Sequence, residues 1–388
     1  MAFTLYPAVK DDFVDREEII TEIISTIQNR RIRMGFALVG QRRIGKSSIF
    51  RQATILLRGR KNIVPIYFSI WDLVESRIEN FCKSFTREIL ESYREKLSVK
   101  YKIKQLVQEP MAGIMDFLKS INIHINVLEQ IDISLAKKES EKDYDSLLEK
   151  VLLLPEVLAS ETGTRAVVFI DEFPSIMDLT FKNGTQIGEG ILKKIRTVLE
   201  KYENTIFCIS GSIRKTMELT LMSSEAPFFR QFIIKNIEPF SVGDVHLLLE
   251  KNLGQKVRKA VAEKICELTS GIPFYAQCIG RGLLRIRNKI FLGEVDNIFQ
   301  DFLRQEGNLL FRQEFDVLSS GERQVIYAMA KKKLTILNEI AGEINKELNV
   351  VNRCLGYLLN KGVVEKKRRG VYEFSDPVFK KWLAEILS

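Results

Sequence analysis

The sequence predicts an α/β protein with a parallel sheet of the P-loop type, followed by a helical unit and a small C-terminal winged-helix unit. Three observations predict it. Short apolar runs alternate with helical stretches, as in a sheet covered on both faces. A glycine loop follows the first of these runs and opens a helix. Near the C-terminus, three short helical segments precede two extended pieces about a basic turn. With 388 residues the chain exceeds the size of one typical core, so two or three domains are expected.

Taken in order, Arg16–Asn29 reads as a helix, with Ile19, Ile20, Ile23, Ile24 and Ile27 on one face. Gly35–Val39 is the first buried strand, and a helix runs from Lys46 to about Leu57. Ile63–Ile70 is the second strand, followed by a helix near Ser76–Leu97. Ile121–Val127 and Ile131–Leu135 alternate strictly, as two paired strands with one buried face would. They read as a hairpin-bearing insertion of about residues 101–142, with His124 on its polar face. A helix near Asp143–Leu158 leads to the third, fourth and fifth strands at Arg165–Ile170, Thr205–Ser210 and Phe232–Lys235. After Pro239 the pattern is helical through about Leu303. Ser320–Ala330, Thr335–Asn345 and Asn349–Lys361 then give three helices, and Val363–Gly370 with Val371–Phe374 gives the wing. The expected domains are residues 1–238, 239–310 and 311–388.

Composition narrows the classes. Hydrophobic residues at 45% and charged residues at 28% are ordinary for a globular protein. No apolar run approaches the roughly 18–20 residues that span a bilayer, and the first residues lack the order of a secretory signal. The expectation is a cytoplasmic protein with no membrane partner. The five cysteines are scattered and never spaced as CxxC, and only His124 and His246 are present, which argues against a disulfide framework or a zinc site. The net charge of +9 can attract nucleic acid or an anionic membrane, and fits a solvated surface equally well.

The chemistry concentrates at two places. Gly40, Gln41, Arg42, Arg43, Ile44, Gly45, Lys46 and Ser47 fit the pattern G-x-x-x-x-G-K-[ST] completely. Such a loop wraps phosphates with backbone N–H groups and sets the positive end of a helix against them. Lys46 is expected at the β- and γ-phosphates and Ser47 on Mg²⁺, with Ser48 beside them on the helix. Arg42 and Arg43 occupy unconstrained positions of the loop, adding positive potential or pointing to solvent. The second place is the strand end Asp171-Glu172, where Asp171 can hold the metal and Glu172 can orient and deprotonate water. ATP and Mg²⁺ are therefore the expected cofactors. Ser210 ends the fourth strand, as a γ-phosphate contact or a plain serine-glycine turn. Arg230 is either an arginine finger from a neighbouring subunit or domain, or a surface ion-pair residue.

The whole chain resembles the archaeal-type ATPases of the STAND branch of AAA+-like NTPases, related in layout to origin-recognition ATPases. The resemblance rests on Phe13-Val-Asp-Arg-Glu17, Gly40–Ser47, Val168–Phe173, Ser210-Gly-Ser212, Gly271-Ile-Pro273-Phe-Tyr275 and Asp376–Trp382, in that order. It implies ATPase activity, strand order 5-1-4-3-2, a helical lid and a C-terminal winged helix. It also implies that Phe13–Glu17 lies near the adenine and that Gly271 and Pro273 bring the lid to the nucleotide. Arg281 and Arg285 are the candidates for a lid arginine.

In the winged-helix reading, Asn349–Lys361 is the recognition helix, with Val351, Leu355, Leu358 and Leu359 inward and Asn349, Asn352, Arg353 and Asn360 outward. Asn352 and Arg353 would meet base edges. Lys366, Lys367, Arg368 and Arg369 on the wing would meet phosphates, and Lys331–Lys333 form a second basic cluster. Double-stranded DNA is the expected macromolecular partner. A protein partner or a homo-oligomer is the alternative, with the chain acting as an ATP-regulated scaffold.

Overall fold

The computed structural model describes residues 3–96, 141–212, 228, 230–286 and 289–386. The inferred hairpin insertion, with His124, lies outside the described residues. Helix α1 (Glu17–Gln28) leads into β1 (Gly35–Gly40), and α2 (Lys46–Arg58) into β2 (Ile63–Ser69). Helices α3 (Ile78–Tyr93) and α4 (Glu141–Thr162) precede β3 (Arg165–Asp171), and α5 (Gly188–Leu199) precedes β4 (Thr205–Ser212) and β5 (Phe232–Asn236). The five strands are parallel in the order β2-β3-β4-β1-β5, the order that the resemblance implies, read from its other edge.

β1, β3 and β4 are buried along their whole length, which is why they read as continuous apolar runs rather than alternating ones. The register brings functional positions to one edge. Ser69 pairs with Asp171, Leu38 with Ser210, and Gly40 with Ser212. All the strands therefore end on the sheet edge that carries the phosphate loop, where a parallel α/β sheet places its site.

The two sheet faces build different cores. One packs α3, α4 and α5 through Phe81, Phe85, Leu152 and Ile195. The other packs α1 and α2 and continues without a break into the lid and the C-terminal unit. The lid comprises α6 (Val242–Leu253), α7 (Lys259–Thr269), α8 (Pro273–Leu283) and α9 (Leu292–Phe302). A π-helical turn, Leu303–Gly307, then joins α9 to α10 (Asn308–Asp316). The expected elements do not include this connection, although Phe311 and Phe315 on α10 are buried.

The C-terminal unit has α11 (Ser320–Lys331), α12 (Leu337–Glu343), α13 (Leu348–Asn360), β6 (Val364–Arg368), β7 (Val371–Phe374) and α14 (Pro377–Ile386). Ser319 and Glu322 form a reciprocal capping box at the start of α11. Ile336 bridges to Val371, adding a third short extended piece beside the antiparallel β6–β7 hairpin. Three helices and a hairpin in this order make a winged helix. Trp382 on α14 is fully buried against Phe311, Phe315 and Phe379, joining the winged helix to α10.

Candidate functional site

The phosphate loop runs from the end of β1 into α2. Gly45 carries φ +98°, a conformation that costs a glycine little and an L side chain considerably more. Ile44 is buried and anchors the loop, while Gln41 is half-buried. Lys46 is 4% exposed, and its Nζ donates to the carbonyls of Gly40 at 3.0 Å and Gln41 at 2.8 Å. A cavity of about 390 Å³ opens over the loop. It is lined by Arg42, Arg43, Gly45, Lys46, Ser47, Ser48, Glu172 and Pro273, together with Thr4–Pro7, Trp71, Phe274 and Gln277.

Asp171 is 3% exposed and fixed from both sides. Tyr67 Oη donates to its Oδ2 at 2.7 Å, and Ser210 Oγ donates to Oδ1, as does the Glu172 amide at 3.1 Å. Ser210 is thus buried behind the carboxylate, and the residue register-paired with Gly40 is Ser212. Burial and the Asp171 carboxylate hold the Tyr67 hydroxyl well above its ordinary pKa, so it stays a donor; Arg51 stacks on its ring at 4.9 Å. Glu172 adopts φ +52°, a left-handed conformation that is strained for a side-chain-bearing residue, and its side chain lines the cavity. Ser47 offers a hydroxyl and Asp171 a carboxylate. Such hard oxygen donors suit Mg²⁺, which takes one or two protein oxygens and fills its shell with water and phosphate.

Arg43 does not point to solvent. It has φ +65°, and its guanidinium donates to Tyr275 Oη at 3.1 Å, Asp376 Oδ2 at 3.1 Å and Glu314 Oε1 at 3.0 Å. Burial opposes its charge, but Tyr275, Glu314 and Asp376 outweigh that and raise its pKa. Asp376 serves two structures at once. Its Oδ1 accepts from the amides of Val378 and Phe379, capping α14, while its Oδ2 also accepts from the Tyr275 hydroxyl. Phosphate loop, lid and winged helix therefore meet at one carboxylate. Arg42 joins them, with Nη1 3.4 Å from Glu314 Oε1 and its guanidinium over Trp71.

Other expectations map differently. Phe13–Glu17 does not line the cavity; Arg16 lies over Phe240, and Lys251 binds the Phe13 carbonyl. Thr4–Pro7 takes that wall instead, held by the Thr4 amide on Gln277 Oε1 at 2.8 Å. Arg230 is not brought to this cavity. It precedes β5, whose first residue pairs with Gly35 at the far end of β1. Arg281 pairs with Glu306, away from the cavity. On the winged helix, Asn349, Asn352, Arg353 and Asn360 are exposed on α13, as are Lys366, Lys367, Arg368 and Arg369 on the wing. Lys367 is already paired with Glu365, 2.5 Å away.

Tyr67, the interdomain role of Arg43 and the wall formed by Thr4–Pro7 are features of the site that no sequence motif announces. Tyr67 carries one usable signal, a phenol hydroxyl in a largely apolar strand that must find a partner when buried.

Comparison with known proteins bears on the fold. Residues 308–383 match a domain of unknown function (DUF8462). No curated protein matches the sequence. A Walker-type ATPase of Pyrococcus abyssi superposes with a TM-score of 0.66 at 17% identity, over 99% of both chains. The Aeropyrum pernix ORC2 protein, solved in ADPNP-ADP complexes, gives 0.60 at 11% identity, covering 99% of this chain and 95% of that one. The Aeropyrum pernix ORC1 protein, solved in complex with DNA, gives 0.51 at 11%, over 98% and 94%. The chain thus has the fold of the archaeal P-loop ATPases and origin-recognition proteins.

Proposed function

We propose that this chain binds and slowly hydrolyses Mg·ATP as a switch, and that its winged helix contacts duplex DNA. The observation that carries the reading is Arg43, a phosphate-loop residue whose guanidinium is held by the lid through Tyr275 and by the winged helix through Asp376. A ligand that repositions the loop acts on that contact, so its binding energy biases how the C-terminal unit sits.

In this reading the loop amides and Lys46 bind the phosphates, and Ser47 and Asp171 hold the magnesium. Bound magnesium neutralises charge on the β- and γ-phosphate oxygens. Tyr67 and Ser210 keep Asp171 oriented, Glu172 activates water, and Pro273 closes the lid side. Arg230, outside the cavity lining, would act as an arginine finger on the nucleotide of a neighbouring subunit. Asn352 and Arg353 read base edges while Lys366, Lys367, Arg368 and Arg369 meet phosphates.

A second reading, an ATP-regulated protein scaffold without DNA contact, is favoured by one observation. Lys367 is shared between Glu365 and Glu373, so part of the wing's charge is spent internally. ATP turnover with and without duplex DNA, against Lys46→Ala, separates the readings. DNA-dependent turnover that disappears in Lys46→Ala supports the DNA-coupled switch. Turnover indifferent to DNA supports the scaffold, and turnover equal in both proteins removes the ATPase reading.

A further inference from the structure

The edge of the sheet opposite the phosphate loop carries its own concentration of positive charge. The α1–β1 connection presents Arg30, Arg31 and Arg33, and the end of α2 with the connection after it presents Arg58, Arg60 and Lys61; all six are exposed. One buried residue organises them. Arg165, 5% exposed at the start of β3, donates to the carbonyls of Ile27 and Asn29, each at 2.9 Å, and to that of Ile32, fixing the first connection. Its amide donates to the Asn62 carbonyl at 2.9 Å, which sets the second connection alongside. Lys96 Nζ then donates to the Lys61 carbonyl at 2.6 Å.

The charge is poorly neutralised. Glu88 lies near Arg58, but among the described residues no ion pair holds any of the six cations. Glu161 near the end of α4, Glu200 and Glu203 are exposed acids at this edge, and half-buried Glu156 is taken up by the Asn204 amide at 2.9 Å, so the acids there remain fewer than the cations. Burial lowers the pKa of Arg165, and the like charges of Arg30 and Arg33 lower it further. Cations also complement the carbonyl ends of α1 and α2, yet a helix terminus accounts for one or two charges and not for six on two tethered loops.

We infer that this edge binds the phosphate backbone of duplex DNA without reading sequence. All of the six cations except Lys61 are arginines, and arginine's planar fork suits phosphate oxygens. An anionic membrane would call for apolar side chains on the same face; Met34 and Leu56, 40% and 44% exposed, are too few to insert. The surface is separate from the wing. Asp376 ties the winged helix to the opposite edge, and strands of six or seven residues at about 3.3 Å per residue put roughly 20 Å of sheet between the two edges. The inference does not depend on DNA contact by the wing.

The test uses the full chain, a 20-base-pair duplex and a series of salt concentrations. The variants are Arg30→Ala/Arg31→Ala/Arg33→Ala/Arg60→Ala/Lys61→Ala at the edge and Lys366→Glu/Lys367→Glu/Arg368→Glu/Arg369→Glu at the wing. Removing one cation–phosphate pairing makes the slope of log K against log salt shallower by about 0.9. In the edge variant, which removes five cations, the slope is expected to become shallower by up to about 4.5 and affinity to fall at least about tenfold, with the wing charges intact or reversed. Thermal unfolding checks its fold, and Arg31→Glu/Arg60→Glu, two exposed sites, repeats the measurement if the larger variant is unstable. Unchanged affinity and slope in the edge variants overturns the inference. So does loss of binding only to phosphatidylserine vesicles, which would assign the edge to a membrane surface. A failure of the wing variant alone bears on the winged-helix reading and leaves the edge standing.

Discussion

Arg43 Nη1 and Asp376 Oδ2 lie 3.1 Å apart although 333 positions separate them in the chain. One belongs to the glycine loop after β1, the other caps the last helix of the winged unit. Both side chains are largely buried, at 16% and 15% exposure, so solvent screens the pair less than a surface one. Hydrogen bonds to charged groups contribute about 1.5–3 kcal/mol each.

The pair is expected to be energetically coupled. In a double-mutant cycle of Arg43→Ala and Asp376→Asn, measured by urea unfolding, the interaction should be at least about 1 kcal/mol. Additive single effects would mean that the contact carries no linkage between the two units.

Lys46 and Glu172 should separate binding from chemistry. Lys46→Ala is expected to abolish measurable ATP binding. Glu172→Gln should retain binding within a few-fold while turnover falls about 10²–10⁴-fold, the usual contribution of a positioned base. Equal loss of binding in both variants would argue that Glu172 shapes the pocket and does no chemistry.

Tyr67→Phe removes one of the donors that orient Asp171. Residues behind a metal ligand typically contribute 10–100-fold in metal affinity or activity. The magnesium concentration needed for half-maximal turnover should therefore rise about tenfold, with metal-free nucleotide affinity unchanged. An unaltered magnesium requirement would reduce Tyr67 to a packing role.

How much of the molecule is legible in the sequence varies by element. The strands and the phosphate loop are readable because burial on both faces and phosphate geometry each leave a local pattern. β1 through β5 lie within two residues of their expected ends, and Asp171 and Glu172 follow from the strand end. The contacts among the three units are not readable. Arg43 occupies a loop position that the phosphate motif leaves open, and its partners Tyr275, Glu314 and Asp376 come from distant segments. The capping role of Asp376 shows in the local Asp-Pro start of a helix, whereas its second role exists only after folding. The wall built by Thr4–Pro7 has no periodicity or motif to announce it.

Two glycines should respond to alanine with opposite signs. Gly271 has φ +70°, and an added Cβ would meet the Phe240 carbonyl oxygen at 2.3 Å. Gly271→Ala should cost roughly 1–3 kcal/mol. Gly356 on α13 has open space around that position, so Gly356→Ala should gain about 0.5–1 kcal/mol through helix propensity. Denaturant midpoints of both variants decide it, and equal signs would contradict the backbone assignments.

Glu322 predicts an acid-sensitive step. Burial raises its pKa, but Lys361 and Ser319 outweigh that and bring it below the ordinary value. A carboxylate with a depressed folded pKa adds stability that is present above the unfolded value of about 4.3 and lost as pH falls through the folded one. Glu322→Gln should therefore lower Tm at pH 7 and flatten its decline between about pH 5 and 3. A parallel decline in both proteins would remove Glu322 from the acid limb.

In the proposed switch, nucleotide at the phosphate loop is felt by the winged helix through Arg43 and Asp376. Amide hydrogen exchange of residues 371–386, with and without Mg·ATP, tests this most directly. A nucleotide-dependent change is expected in that segment, absent in Lys46→Ala and weakened in Asp376→Asn. Exchange that stays the same while ATP demonstrably binds would contradict it.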